Sequence, residues 1–117
     1  MANRYLVVVP VNKEVYLKGF NSMEKAAAII REKIGPMIKE DRVDCFDRQM
    51  TMFSVHARKK SSLQVNERAT YCAALPSAED DIYGMAVIIG KSDDTIVGLT
   101  EKEALKIKDE INNLRVS

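Results

Sequence analysis

The sequence predicts an α+β domain: a mixed, largely antiparallel sheet with two amphipathic helices packed on one face. Three observations predict it. Short apolar, β-branched runs alternate with turn residues through much of the chain. Two segments, 21–34 and 100–114, carry apolar residues at helical spacing. Most neighbouring strands are joined by connections too short for a parallel crossover.

The elements follow in order. Tyr5 to Val9 reads as a buried strand stopped by Pro10, and Glu14 to Lys18 as a more polar edge strand after a turn at Val11-Asn12-Lys13. Asn21 and Glu24 match the cap and third positions of a helix start. Met23, Ala26, Ala27, Ile30 and Ile34 line one face of that helix, and Gly35-Pro36 stops it. Met37 and Ile38 open a short strand, and the charged segment 39–48 reads as a loop. Met50 to Ala57 alternates as a strand, with Thr51, Phe53, Val55 and Ala57 on one side and Met50, Met52, Ser54 and His56 on the other. Arg58 to Ser62 is a solvated connection. Leu63 to Val65 and Thr70 to Ala74 read as paired strands around Asn66-Glu67-Arg68, and residues 76–81 as a loop. Ile82 to Ile89 reads as a central strand, Gly90 to Asp94 as a turn, and Thr95 to Val97 as its hairpin partner. Thr100 and Glu103 form a capping box, followed by the stripe Ala104, Ile107, Ile111 and Leu114.

The chain of 117 residues suits one domain spanning 1–117. A hydrophobic fraction of 46% against 30% charged is ordinary for a globular protein and argues against disorder. Net charge is +1, so no long-range field selects nucleic acid, membrane or acidic substrates. The apolar runs Leu6 to Val9 and Met85 to Ile89 are too short for a secretory segment or a bilayer span. The expectation is a cytoplasmic protein with no membrane partner, its thiols Cys45 and Cys72 free.

Several of these residues resemble a known family. The strand Tyr5-Leu-Val-Val-Val9, the turn Asn66-Glu67-Arg68, Leu75-Pro76, the run Asp81 to Gly90 and the segment Gly98 to Ala104 are similar to a family of small uncharacterised domains. Those domains are common in Gram-positive bacteria, their phages and conjugative elements. Residues 81–104 carry the specific part of the match. Where the family turn often runs Asn-Glu-Glu-Gly, Arg68 and Ala69 follow Asn66-Glu67 here. The resemblance implies a mobile-element setting and supplies no catalytic residues.

Candidate chemistry is sparse. His56 is the one histidine, with Ser54 two residues away on the same strand face as a candidate nucleophile. Cys45, flanked in sequence by Arg42 and Arg48, and Cys72 are candidate thiolates. Asp41, Asp44 and Asp47, spaced by three, share a face if helical and offer oxygen ligands to a divalent cation. Asp80-Asp81 and Asp93-Asp94 read as turn formers. Arg58, Lys59 and Lys60, with Arg68 facing them, make the one dense basic cluster, and Tyr71 adds a stacking surface for nucleic acid. No GxGxxG, Walker A, GxSxG, HExxH or CxxC occurs, which weighs against nucleotide, hydrolase and zinc chemistry.

The reading these observations favour is a non-catalytic interaction or accessory module of a mobile element or its host, with no cofactor and no metal. It works through a protein partner or a second copy added at an exposed sheet edge. Two alternatives stay open: a nucleic-acid-binding accessory protein using the 58–60 loop, and a small enzyme using Cys45 or His56.

Overall fold

The computed structural model describes residues 3–43, 49–56, 63–73 and 81–114. Their strands form one sheet in the order β2-β1-β5-β4-β3, with β6 also paired to β5. These are β1 (Arg4–Val9), β2 (Tyr16–Phe20), β3 (Ile38–Val43), β4 (Met50–Val55), β5 (Ala86–Ser92) and β6 (Thr95–Val97). The helices are α1 (Met23–Ile34), α2 (Glu67–Cys72) and α3 (Glu101–Asn112). The α+β class holds. Every strand pair among the described residues is antiparallel, so the sheet is not mixed.

The helices do not share a face. Leu6, Val8, Val87 and Ile89 pack with Ala26, Ile30 and Ile34 of α1. Val7, Val9, Ala86 and Ile88 pack on the opposite face with Ala69 and Cys72 of α2 and Ala104, Ile107 and Ile111 of α3. The cause lies in β1 and β5. Successive strand residues point to opposite faces, so unbroken apolar runs such as Leu6–Val9 and Ala86–Ile89 are apolar on both. One helical layer leaves half of them in water. The cover is therefore α1 on one side and α2 with α3 on the other.

Local chemistry sets the helix ends. Ser22, not Asn21, caps α1: its side chain accepts a hydrogen bond from the Lys25 N–H at 3.2 Å. Of the expected α1 stripe, Ala26, Ile30 and Ile34 are buried, while Met23 and Ala27 stay exposed. Gly35 ends the helix at φ 103 and ψ −172, and its N–H donates to the Arg31 carbonyl at 2.8 Å. That backbone region is open in practice only to glycine. The Thr100–Glu103 capping box forms as expected, and Ala104, Ile107 and Ile111 are buried. Tyr5 donates its phenol hydrogen to Glu101 at 3.1 Å, tying β1 to the start of α3 and raising the Tyr5 pKa.

Three segments depart from the sequence expectation. Residues 39–43 are a strand, not a loop: each of Ile38 to Val43 pairs with a β4 residue, from Ile38 with Val55 to Val43 with Met50. Their charge hid a sheet margin, where polar residues are usual. Asn66-Glu67-Arg68 is not a turn between strands; it starts α2. The central strand begins at Ala86 and runs to Ser92, leaving Ile82–Tyr83 as a separate extension paired beside Val65. Gly84, at φ 72, separates the two, and the hairpin turn shrinks to Asp93-Asp94, with Asp93 at φ 54.

Candidate functional site

The polar side chains around the start of α2 serve the fold. Asn66 is buried and fully engaged. Its Oδ1 accepts from the Ala69 N–H at 3.1 Å, which caps α2. Its Nδ2 donates to the Val9 carbonyl at 2.8 Å and the Gly84 carbonyl at 2.9 Å, binding the end of β1 to the segment before β5. Thr70 Oγ1 donates to the Asn66 carbonyl and accepts from the Ile82 N–H at 2.8 Å. Arg68, proposed for phosphate contact, turns its guanidinium onto the β1–β2 connection. It donates to the Pro10 carbonyl at 2.9 Å, to the Lys13 carbonyl, and to Asn112 Oδ1 at 3.5 Å. Asn112 Oδ1 also accepts from the Val15 N–H at 3.0 Å, so the end of α3 holds the same connection. The Asn66-Glu67-Arg68 motif is thus a structural clamp. Arg58, Lys59 and Lys60 lie outside the described residues.

The other candidates do not converge. His56 is exposed just after β4, and its backbone N–H donates to the Met37 carbonyl at 2.8 Å. Ser54 Oγ is buried and has no hydrogen-bond partner, so the Ser54–His56 contact needed for nucleophilic chemistry is not made. Cys72 is a buried member of the core on α2. Cys45 lies outside the described residues. Asp41 is in β3 rather than on a helical turn, and Asp44 and Asp47 are outside the described residues. Among the described residues no cluster of three His, Cys, Asp or Glu could hold a metal ion. Tyr71 is exposed on α2, and Asp81 is half-buried after the segment that contains Asp80, itself outside the described residues.

A different set of side chains does converge, at the β3 margin of the sheet. Thr51 and Lys91 both bond one oxygen of Glu40: Thr51 Oγ1 donates to Oε2 at 2.7 Å and Lys91 Nζ at 2.9 Å. The register explains the meeting. Thr51 pairs with Arg42 across β3 and with Ile89 across β5. Directly opposed residues share a face. Thr51, Arg42 and Lys91 therefore stand on the α1 side with Glu40, whose own partner is Phe53. They line a cavity of about 250 Å³ together with Gln49 and Met50. The Thr51 hydrogen bond and then the Lys91 ammonium hold the Glu40 carboxyl below the usual carboxylate range. On the opposite face Lys39 Nζ lies 3.4 Å from Asp41 Oδ2, an oxygen that is buried and makes no hydrogen bond.

Sequence reasoning missed this cluster because it took 39–48 for a loop, and without β3 no register brings Glu40 to Thr51. The available signal was the alternation in Ile38-Lys39-Glu40-Asp41-Arg42-Val43, apolar at both ends beside a clearly alternating β4.

Comparison with known proteins adds no name: no family model, curated protein or solved structure matches the chain. No helix is long and apolar enough to cross a membrane among the described residues.

Proposed function

We propose that the protein is an interaction module that receives a protein partner along the outer edge of β3. One observation carries this reading: β3 ends the strand order, and its outward backbone groups are aligned for a further strand. Hydrogen-bonded pairs alternate along an antiparallel ladder. The bond from His56 N–H to the Met37 carbonyl makes the odd-numbered residues of β3 face β4. Ile38 and Glu40 therefore turn their N–H and C=O outward. Among the described residues the only segment on that side is Ala73, bridged to Val43 at the far end. An added strand gains main-chain hydrogen bonds there, while the alternating side chains of β3 select its sequence.

The engagement of Arg68 with the β1–β2 connection removes one residue from the nucleic-acid alternative. The unpartnered Ser54 weighs against the His56 form of the enzymatic one. From the resemblance of residues 81–104 we take the setting to be a mobile element or its host, in the cytoplasm.

A photo-crosslinking residue at position 40, with one at Lys102 on exposed α3 as control, tests the reading in cells. A protein adduct formed from position 40 and not from 102 is expected, lost when Ile38→Pro removes an outward N–H. Equal or absent labelling at both positions overturns it.

A further inference from the structure

We infer that Asp41, Ser54 and Lys39 hold one water molecule inside the protein, between β3 and β4 on the face that α2 and α3 cover. Two orphaned atoms point to it. Ser54 Oγ and Asp41 Oδ2 are buried, and neither makes a hydrogen bond. Ser54 is 0% exposed, so bulk solvent does not reach it. Buried polar side-chain atoms nearly always have a partner, because an unmet one forfeits its hydration for nothing. Two such atoms in one place call for a single partner.

The register puts them in one place. Lys39 pairs with Ser54, and Asp41 with Met52. Opposed residues share a face, and Asp41 is the diagonal neighbour of Ser54. The main chain beside them supplies neither atom. His56 N–H bonds the Met37 carbonyl, so by alternation Lys39–Ser54 and Asp41–Met52 are hydrogen-bonded pairs whose N–H groups are spent on each other. The neighbours on this face, Val43, Met50 and Met52, are apolar core residues with no donor. Among the described residues of the two strands the remaining donor is Lys39 Nζ, 3.4 Å from Asp41 Oδ2 and not hydrogen-bonded to it.

These three groups fix the chemistry of what sits between them. The carboxylate repels an anion, and the ammonium beside it repels a metal cation. A small neutral molecule that both donates and accepts suits all three. Water donates one hydrogen to Asp41 Oδ2 and the other to Ser54 Oγ, and accepts from Lys39 Nζ. Three hydrogen bonds are typical of a buried water. Two bonds of about 2.8 Å span oxygens ~4–5 Å apart, the gap left when two short side chains stand on diagonal positions. The water thus ties the charged strand β3 to β4 on the core side, as the Thr51–Glu40 hydrogen bond does on the α1 side.

A high-resolution crystal structure and a double-mutant cycle test the bridge. A water is expected within ~3.2 Å of Asp41 Oδ2, Ser54 Oγ and Lys39 Nζ. In urea unfolding, with circular dichroism confirming that each variant is folded, Asp41→Ala and Ser54→Ala each reduce the folding constant. Either change breaks the bridge, so the second costs at least ~3-fold less once the first is made. Ser54 Oγ bonded directly to Asp41 or Lys39, or no density between them, overturns the inference. So do losses that multiply independently to within ~2-fold, as for residues that share no partner.

Discussion

The polar residue on which most of the fold leans is Asn66. One side chain caps α2 and satisfies two buried carbonyls that come from distant parts of the chain. Removing it leaves those carbonyls without a donor in a dry setting, and each unmet buried group costs about 1–3 kcal/mol. Asn66→Ala is expected to destabilise the protein by about 3 kcal/mol in urea unfolding. A loss under about 1 kcal/mol contradicts the linking role. Glu40 makes a smaller, pH-dependent contribution. Its folded pKa lies below the ordinary value of 4.5, so folding favours the carboxylate. The stabilisation is present above the unfolded pKa and disappears as pH falls through the folded one, because the unfolded state then binds more protons. Glu40 is 41% exposed, so solvent screening limits the pair to about 0.5 kcal/mol. The melting temperatures of wild type and Glu40→Gln should differ slightly at pH 7 and converge as the pH falls through the lowered folded pKa of Glu40. A gap that widens on acidification contradicts the Thr51 and Lys91 contacts.

At the scale of elements, ends and close approaches are where single residues decide. Gly35 sits at a backbone angle that other residues adopt only with strain, although nothing crowds the space a side chain needs. Gly35→Ala should therefore cost about 1–3 kcal/mol through backbone strain alone. Gly98 has the opposite problem: a Cβ there meets Arg4 Cβ at 2.5 Å and Phe20 Cζ at 2.8 Å, and the arginine Cβ is fixed to the backbone of β1. Gly98→Ala is expected to destabilise by forcing β1 away from the Gly98–Leu99 segment, lengthening the Tyr5–Leu99 hydrogen bonds of 2.8 and 2.9 Å. Faster amide exchange at Tyr5 and Leu99 than elsewhere in β1 reports it. Legibility in the sequence also varied by element. The end of α1 at Gly35 and the capping box at Thr100 were readable because they depend on neighbours in the chain. Residues 39–43 and 66–72 were not. β3 looks like a loop until β4 is beside it, and Asn66 looks like a turn until the Val9 and Gly84 carbonyls are beside it.

For the molecule as a whole, one sheet separates two cores. Ile30 belongs to the α1 side and Ile107 to the α3 side, with no contact through the backbone layer. Each truncation to alanine should cost about 2–4 kcal/mol. The double variant should cost their sum within about 0.5 kcal/mol, because residues sharing no partners act independently. A marked departure from the sum in urea unfolding would mean that the two sides share packing after all.

The sequence by itself determined the secondary structure that short-range chemistry controls: two of the helices, the capping box of α3, the β1 and β4 strands, a hairpin between β5 and β6 and the antiparallel habit of short connections. It also contained, in the unbroken apolar runs of β1 and β5, the requirement for cover on both faces. Only the tertiary structure decided which helix covers which face, that a charged segment is the outermost strand, and that Arg68 is a clamp while Glu40, Thr51 and Lys91 form a cluster. Glu40 and Lys91 lie 51 positions apart, and Asn66 and Val9 lie 57 apart. Contacts over such separations follow from strand order and register, which no local pattern fixes.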